Sequence, residues 1–151
     1  MHALVLYYDA WPLREPARAI ARAVADGLGV RATAMDRRPH LGSYDLIVLV
    51  LPAAAQLDPR LALLACEGDM RGKAVALATD LPEALLAPWC TLMARVGGAH
   101  LHVHSLSLGA WLPPFDDADR LARARSWGEQ LAESFPAPAY PRGEAGTRKM
   151  S

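Results

Sequence analysis

Tyr44-Asp45-Leu46-Ile47-Val48-Leu49-Val50-Leu51-Pro52 is the stretch that decides the fold. From Leu46 to Leu51 every residue is apolar and no polar residue alternates. That is the pattern of a strand covered on both faces, as parallel sheets require. Pro52 stops it, because it offers no N–H to a ladder. The same pattern stands earlier, at Ala3-Leu4-Val5-Leu6-Tyr7-Tyr8, and later, from Ala74 to Ala78 behind Gly72-Lys73. Val30 to Met35 and Ala99 to Leu108 read as two further strands, which makes five.

Helical periods lie between the strands. Ala17, Ile20, Ala21, Val24 and Leu28 repeat at three and four, with Arg18, Arg22 and Asp26 on the other side. Pro16 suits the first turn of that helix, and Gly27 or Gly29 its end. Further helices are expected from Asp58-Pro59 to about Cys66, and from Leu81 to Gly97-Gly98. The last helix opens on Asp116, Asp117 and Asp119, where the dipole favours negative charge. Its inner face is Leu121, Ala124, Gly128, Leu131 and Phe135. Alternation of apolar strands with helices predicts an α/β fold: a doubly wound, three-layer α/β/α sandwich on a five-stranded parallel sheet. Residues 1–135 form that domain. The stretch 136–151 is rich in Pro and Gly, has no period, and reads as a tail.

Composition agrees and excludes several classes. The 151 residues fit one domain. A hydrophobic fraction of 52% and a charged fraction of 21% exclude a disordered chain. Sixteen basic residues balance sixteen acidic ones, so no nucleic-acid partner is expected from bulk charge. No apolar run reaches the ~20 residues of a membrane span. Met1–Tyr8 is shorter than a secretory apolar region and no cleavage pattern follows, so a cytoplasmic protein is expected. Cys66 and Cys90 are far apart, in no metal-ligand spacing, and fit a reducing compartment. Nearly all basic residues are arginine, Lys73 and Lys149 being the only lysines, which reads as genome composition rather than as a surface.

Ligands of doubly wound sheets bind at the carboxyl ends of the strands. The loops of interest therefore start at Asp9, Pro52, Thr79 and Gly109. No Gly-x-Gly-x-x-Gly follows the first strand and no Gly-Lys-Ser/Thr occurs, so neither a dinucleotide fingerprint nor a P-loop is present. Pro52 and the stretch near Leu108 stand where a phosphoreceiver would need its aspartate and lysine.

What remains resembles the flavodoxins, over roughly residues 1–135. Met1 to Tyr8 is similar to their first strand, which commonly ends in an aromatic pair. Ser43-Tyr44-Asp45-Leu46-Ile47-Val48-Leu49, followed by Pro52, resembles their third strand and the loop bearing on the flavin ring. Gly72-Lys73-Ala74-Val75-Ala76-Leu77 resembles their fourth, and Trp127 in the last helix fits the family's habit. The resemblance implies strand order 2-1-3-4-5 and FMN as cofactor. It implies an electron-transfer protein or the flavin subunit of a reductase, working with a redox partner protein. If the chain is an enzyme, the resemblance makes it an FMN-dependent oxidoreductase.

Carried onto this sequence, the phosphate loop is Asp9-Ala10-Trp11-Pro12-Leu13-Arg14. The ring loops are Pro52-Ala53-Ala54-Ala55 and Thr79-Asp80. Neither ring loop holds an aromatic, so stacking would fall to Trp11 or Trp111. The phosphate loop departs from the family, having no Ser, Thr or Gly. Two readings stand. In one, Asp9 caps the first helix or a turn, Trp11 packs over it and Arg14 is solvated. In the other, Arg14 and free N–H groups hold the phosphate. Asp9 then matters: like unit charges ~4 Å apart near a surface repel by about 4 kcal/mol, and a phosphate carries roughly −1.5 to −2.

His100, His102 and His104 lie on one face of the fifth strand, about 7 Å apart in sequence steps. Collinear imidazoles do not converge on one ion, so an edge strand with a polar face is expected and no metal. No residue stands out as acid, base or nucleophile. The alternative function is a module of the same fold that lacks FMN and works through protein–protein contacts. Oligomeric state is not legible.

Overall fold

The computed structural model describes residues 2–37, 41–52, 73–80, 103–108, 111 and 117–134. Five parallel strands form one sheet: β1 (Ala3–Tyr7), β2 (Ala32–Ala34), β3 (Leu46–Val50), β4 (Ala74–Thr79) and β5 (Val103–Ser107). Their order is β2-β1-β3-β4-β5, as expected. β1, β3 and β4 are central, and their unbroken apolar runs are buried on both faces. β2 is shorter than the sequence suggests. It is an edge strand, half-buried throughout, so only part of Val30–Met35 finds a ladder.

Two helices are described, α1 (Arg14–Leu28) and α2 (Ala118–Ser134), and they pack on each other. Both cover the same sheet face. Ala17, Ile20, Ala21 and Val24 of α1, with Ala124, Trp127 and Leu131 of α2, meet Val5, Val48, Val50, Ala76 and Ala78. The alternate residues, Leu4, Leu6, Ile47, Leu49, Val75 and Leu77, point to the opposite face and are also buried. Gly29 ends α1 in the left-handed region (φ 76°), and the N–H groups of Gly29 and Val30 donate back to Asp26 and Ala25. Asp117 caps α2: its Oδ1 accepts from the N–H of Asp119 at 2.9 Å and of Arg120 at 3.2 Å.

Asp45 ties the amino ends of the central strands. Its N–H donates to His2 O at 2.7 Å, its Oδ2 accepts from His2 N–H at 3.0 Å, and its carbonyl accepts from Ala74 N–H at 3.0 Å. Lys73 donates to the carbonyls of Tyr44 and Gly42. This edge is stapled; the carboxyl edge is left to loops.

The helices expected over 58–66 and 81–98, and the stretch 136–151, lie outside the described residues. So do Ala53, Ala54, Ala55, Cys66, Cys90, His100, His102 and Phe135. Among the described residues no helix is long and apolar enough to cross a membrane.

Candidate functional site at the carboxyl edge

Strand order reverses at β1. The chain goes from β1 to β2 on one side, then crosses to β3 on the other, and sheets of this kind bind ligands outside the strand ends at such a switch. The ladder runs past the strands here. Tyr8 N–H donates to Val50 O at 3.0 Å, Leu51 N–H to Ala78 O at 2.9 Å and Leu108 N–H to Thr79 O at 3.3 Å. Pro52 and Thr79 are thereby buried at the ends of β3 and β4, with Asp80 half-buried beyond. The loop Asp9–Leu13 stands beside them at the end of β1.

That loop is short because α1 starts early. Leu13 N–H donates to Ala10 O at 3.2 Å, and Ala17 N–H to Leu13 O at 3.1 Å opens the helix. Arg14 is therefore the first helical residue, ahead of Pro16. Leu13, the N-cap, offers no side-chain hydrogen bond. Asp9 does not cap α1. Its Oδ2 accepts from Asp36 N–H at 2.9 Å and so caps the 3-10 turn Met35–Arg37 after β2. Pro16 has no N–H and that of Ala17 is taken, so this helix end offers an anion its dipole and at most the N–H groups of Arg14 and Glu15. Glu15 in the first turn opposes that, but its carboxylate leans to Arg18 at 4.0 Å.

The tryptophans exchange their expected places. Trp11 does not pack over Asp9; it is 89% exposed, while Pro12 beside it is exposed as well. Trp111, expected as a stacking partner, is 3% exposed and belongs to the core of α1, α2 and the sheet. An indole buried there gains far more from removal of its area than a surface contact returns. Its Nε1–H has no acceptor among the described residues. Among the described tryptophans, Trp11 alone is exposed.

Two clefts meet at Arg14. One, of about 620 Å³, is lined by Asp9, Trp11, Pro12, Arg14 and Glu15. The other, of about 510 Å³, lies between β1, β2 and α1 and is lined by Tyr7, Asp9, Arg14, Arg18, Thr33, Asp36 and Arg37 among others. Arg18, Thr33, Asp36 and Arg37 escape a motif-by-motif reading, since they come from two separate stretches of chain. The one available signal is the spacing Arg14–Arg18, one helical turn. His104 sits on the edge strand β5, and no group of three or more potential metal ligands occurs among the described residues.

No protein-family model and no curated protein matches this sequence. Solved structures do. A flavodoxin from the domain Archaea covers 89% of this chain and 98% of its own, at 15% identity and a TM-score of 0.55. The two-electron reduced flavodoxin of Megasphaera elsdenii covers 87% and 98%, at 18% identity and a TM-score of 0.54. At such identities the likeness is one of architecture, and with the strand order it makes the fold of this chain flavodoxin-like.

Proposed function

We propose that this protein binds FMN at the carboxyl ends of β1 and β3 and passes electrons to and from a redox partner protein, alone or as the flavin subunit of a reductase. The observation carrying this reading is Trp11. A tryptophan 89% exposed is costly in water, and here it stands at the switch point beside an uncapped helix N-terminus and Arg14. A ring face, helix dipole and guanidinium within one short loop fit a flat aromatic ligand bearing a phosphate. Trp11 would stack on the ring, and Arg14 with the N–H groups of Arg14 and Glu15 at the start of α1 would hold the phosphate. The bound flavin would supply the redox chemistry; the chain itself binds, orients and screens it.

Titration with FMN, read by flavin fluorescence, tests this. Wild type is expected to quench it. Arg14→Ala should weaken binding by about 1.5–3 kcal/mol, the worth of a charged hydrogen bond, or roughly 10- to 150-fold. Trp11→Ala should lose a further ~0.5–1.5 kcal/mol of stacking with little loss of stability, since the residue is almost fully exposed. Asp9→Ser should strengthen binding, removing a like charge while leaving a hydroxyl for Asp36 N–H.

The same exposed Trp11 favours one other reading, a cofactor-free module that docks a protein. If wild type and Asp9→Ser both fail to bind FMN at high micromolar concentration, that reading replaces the electron carrier.

A further inference from the structure

We infer that the cleft between β1, β2 and α1 is a phosphoryl-binding site, built from Arg14, Arg18 and Arg37 rather than from loop hydroxyls. It rests on the FMN reading only for which molecule carries the phosphate.

Three arginines from two segments line this one cleft, together with Asp9 and Asp36. Arg14 and Arg18 are one turn apart on α1 and share a face. Arg37 arrives from the other side of β1, after β2. Its placement is engineered by two contacts: Met35, the first residue of the 3-10 turn, is buried, and the next N–H, that of Asp36, donates to Asp9 Oδ2. The tie fixes the turn carrying Arg37 against the loop that leads into Arg14. It also gives the Asp9 carboxylate a donor of its own. Arg14 and Arg37 meet no carboxylate among the described residues, and Arg18 reaches Glu15 only at 4.0 Å between exposed ends.

Three guanidinium groups against the two carboxylates of Asp9 and Asp36 leave the lining with a net positive charge. A phosphoryl group neutralises that excess, and the planar guanidinium fork matches phosphate oxygens in pairs. Tyr7 and Thr33 add hydroxyl-bearing side chains to the wall, and the open end of α1 adds dipole. At about 510 Å³ the cleft is in the size range of small-ligand sites. Its lining carries Trp11 nowhere and no other large apolar side chain beyond Tyr7, so it suits the hydrophilic part of a ligand. Arg14, shared with the Trp11 cleft, links the two.

The test is calorimetric titration of the full chain with FMN, riboflavin and ADP. FMN should bind at least about 10-fold more tightly than riboflavin. Arg18→Ala and Arg37→Glu should each cut FMN binding by about 10-fold or more and leave riboflavin unchanged. Arg37→Lys, which keeps the charge but not the fork, should fall between, and it covers any loss of fold in the reversal. If ADP binds, sensitive to Arg37, while neither flavin does, the site stands with a different nucleotide and the FMN reading falls. If FMN and riboflavin bind alike and neither arginine matters, the site is wrong and the FMN reading stands. If no probe binds, both fall.

Discussion

Leu49→Ala is expected to lower the unfolding free energy by about 2–5 kcal/mol, from lost transfer and an unfilled cavity. Leu49 lies in the central strand, fully buried, in register with Leu6 of β1 and Leu77 of β4. All three are fully buried and stand in one row across the sheet. The cavity would open in the middle of that row. The strands on both sides are held by ladders, so they cannot slide inward to close it. The loss should therefore sit high in the range. Against a typical total of about 5–15 kcal/mol it is a large share. Urea denaturation should show a lower midpoint at unchanged slope. Leu49→Met, which keeps the volume, should cost under about 1.5 kcal/mol, and Arg22→Ala on exposed α1 within about 0.5. A loss below about 1 kcal/mol for Leu49→Ala would show that the row is loosely packed.

The row was legible beforehand because burial on both faces leaves a signature no other environment leaves. Leu46 to Leu51 and Ala3 to Tyr8 have no polar residue to spare, and both became central strands. Edge strands leave less. β2 has one side without a neighbour and is half-buried, so its bounds shrank to Ala32–Ala34. The start of α1 is hidden for a similar reason. Leu13 caps without a side-chain bond, so the sequence offers Pro16 as its marker and Arg14 reads as loop.

The site was legible in its location and not in its parts. Strand order and apolar runs lead to the ends of β1 and β3 with no further information. The fates of Trp11 and Trp111 do not follow from sequence, since each stands near proline in a segment with no period. Only the packing of α1 and α2 on the sheet decides which indole is enclosed. Arg18 and Arg37 look like two more arginines in an arginine-rich chain. They become a pair only when β2 is laid beside β1 and Asp9 is bonded across to Asp36. Local patterns report one element's burial; convergence of distant segments leaves no trace in any of them.

Gly128→Ala is expected to destabilise the protein by about 1–3 kcal/mol or more, against the sign that helix propensity gives. Taken alone, a mid-helix Gly→Ala change gains about 0.5–1 kcal/mol. Here α1 and α2 cross backbone to backbone. A Cβ at Gly128 would lie 2.3 Å from the carbonyl oxygen of Val24, and one at Gly27 2.2 Å from that of Arg125. Both obstacles are main chain, which no rotamer change can move, so the helices must part. Parting them loosens Ile20, Val24, Ala124, Trp127 and Leu131, the layer that covers the sheet. Trp127, nearly buried at this crossing, provides a fluorescence signal for it. Ala122→Gly, at an exposed position of α2, sets the scale of propensity alone and should cost about 1 kcal/mol. If Gly128→Ala is stabilising by a like amount, the crossing is wider than the backbone contact requires. The double change Gly27→Ala with Gly128→Ala should cost less than the sum of the two. Once one methyl has pushed the helices apart, the second enters space already opened, and that coupling is the mark of a shared contact. Because α1 also carries Arg14 and Arg18, the same displacement should weaken ligand binding at the carboxyl edge, although Gly128 lies on the other helix.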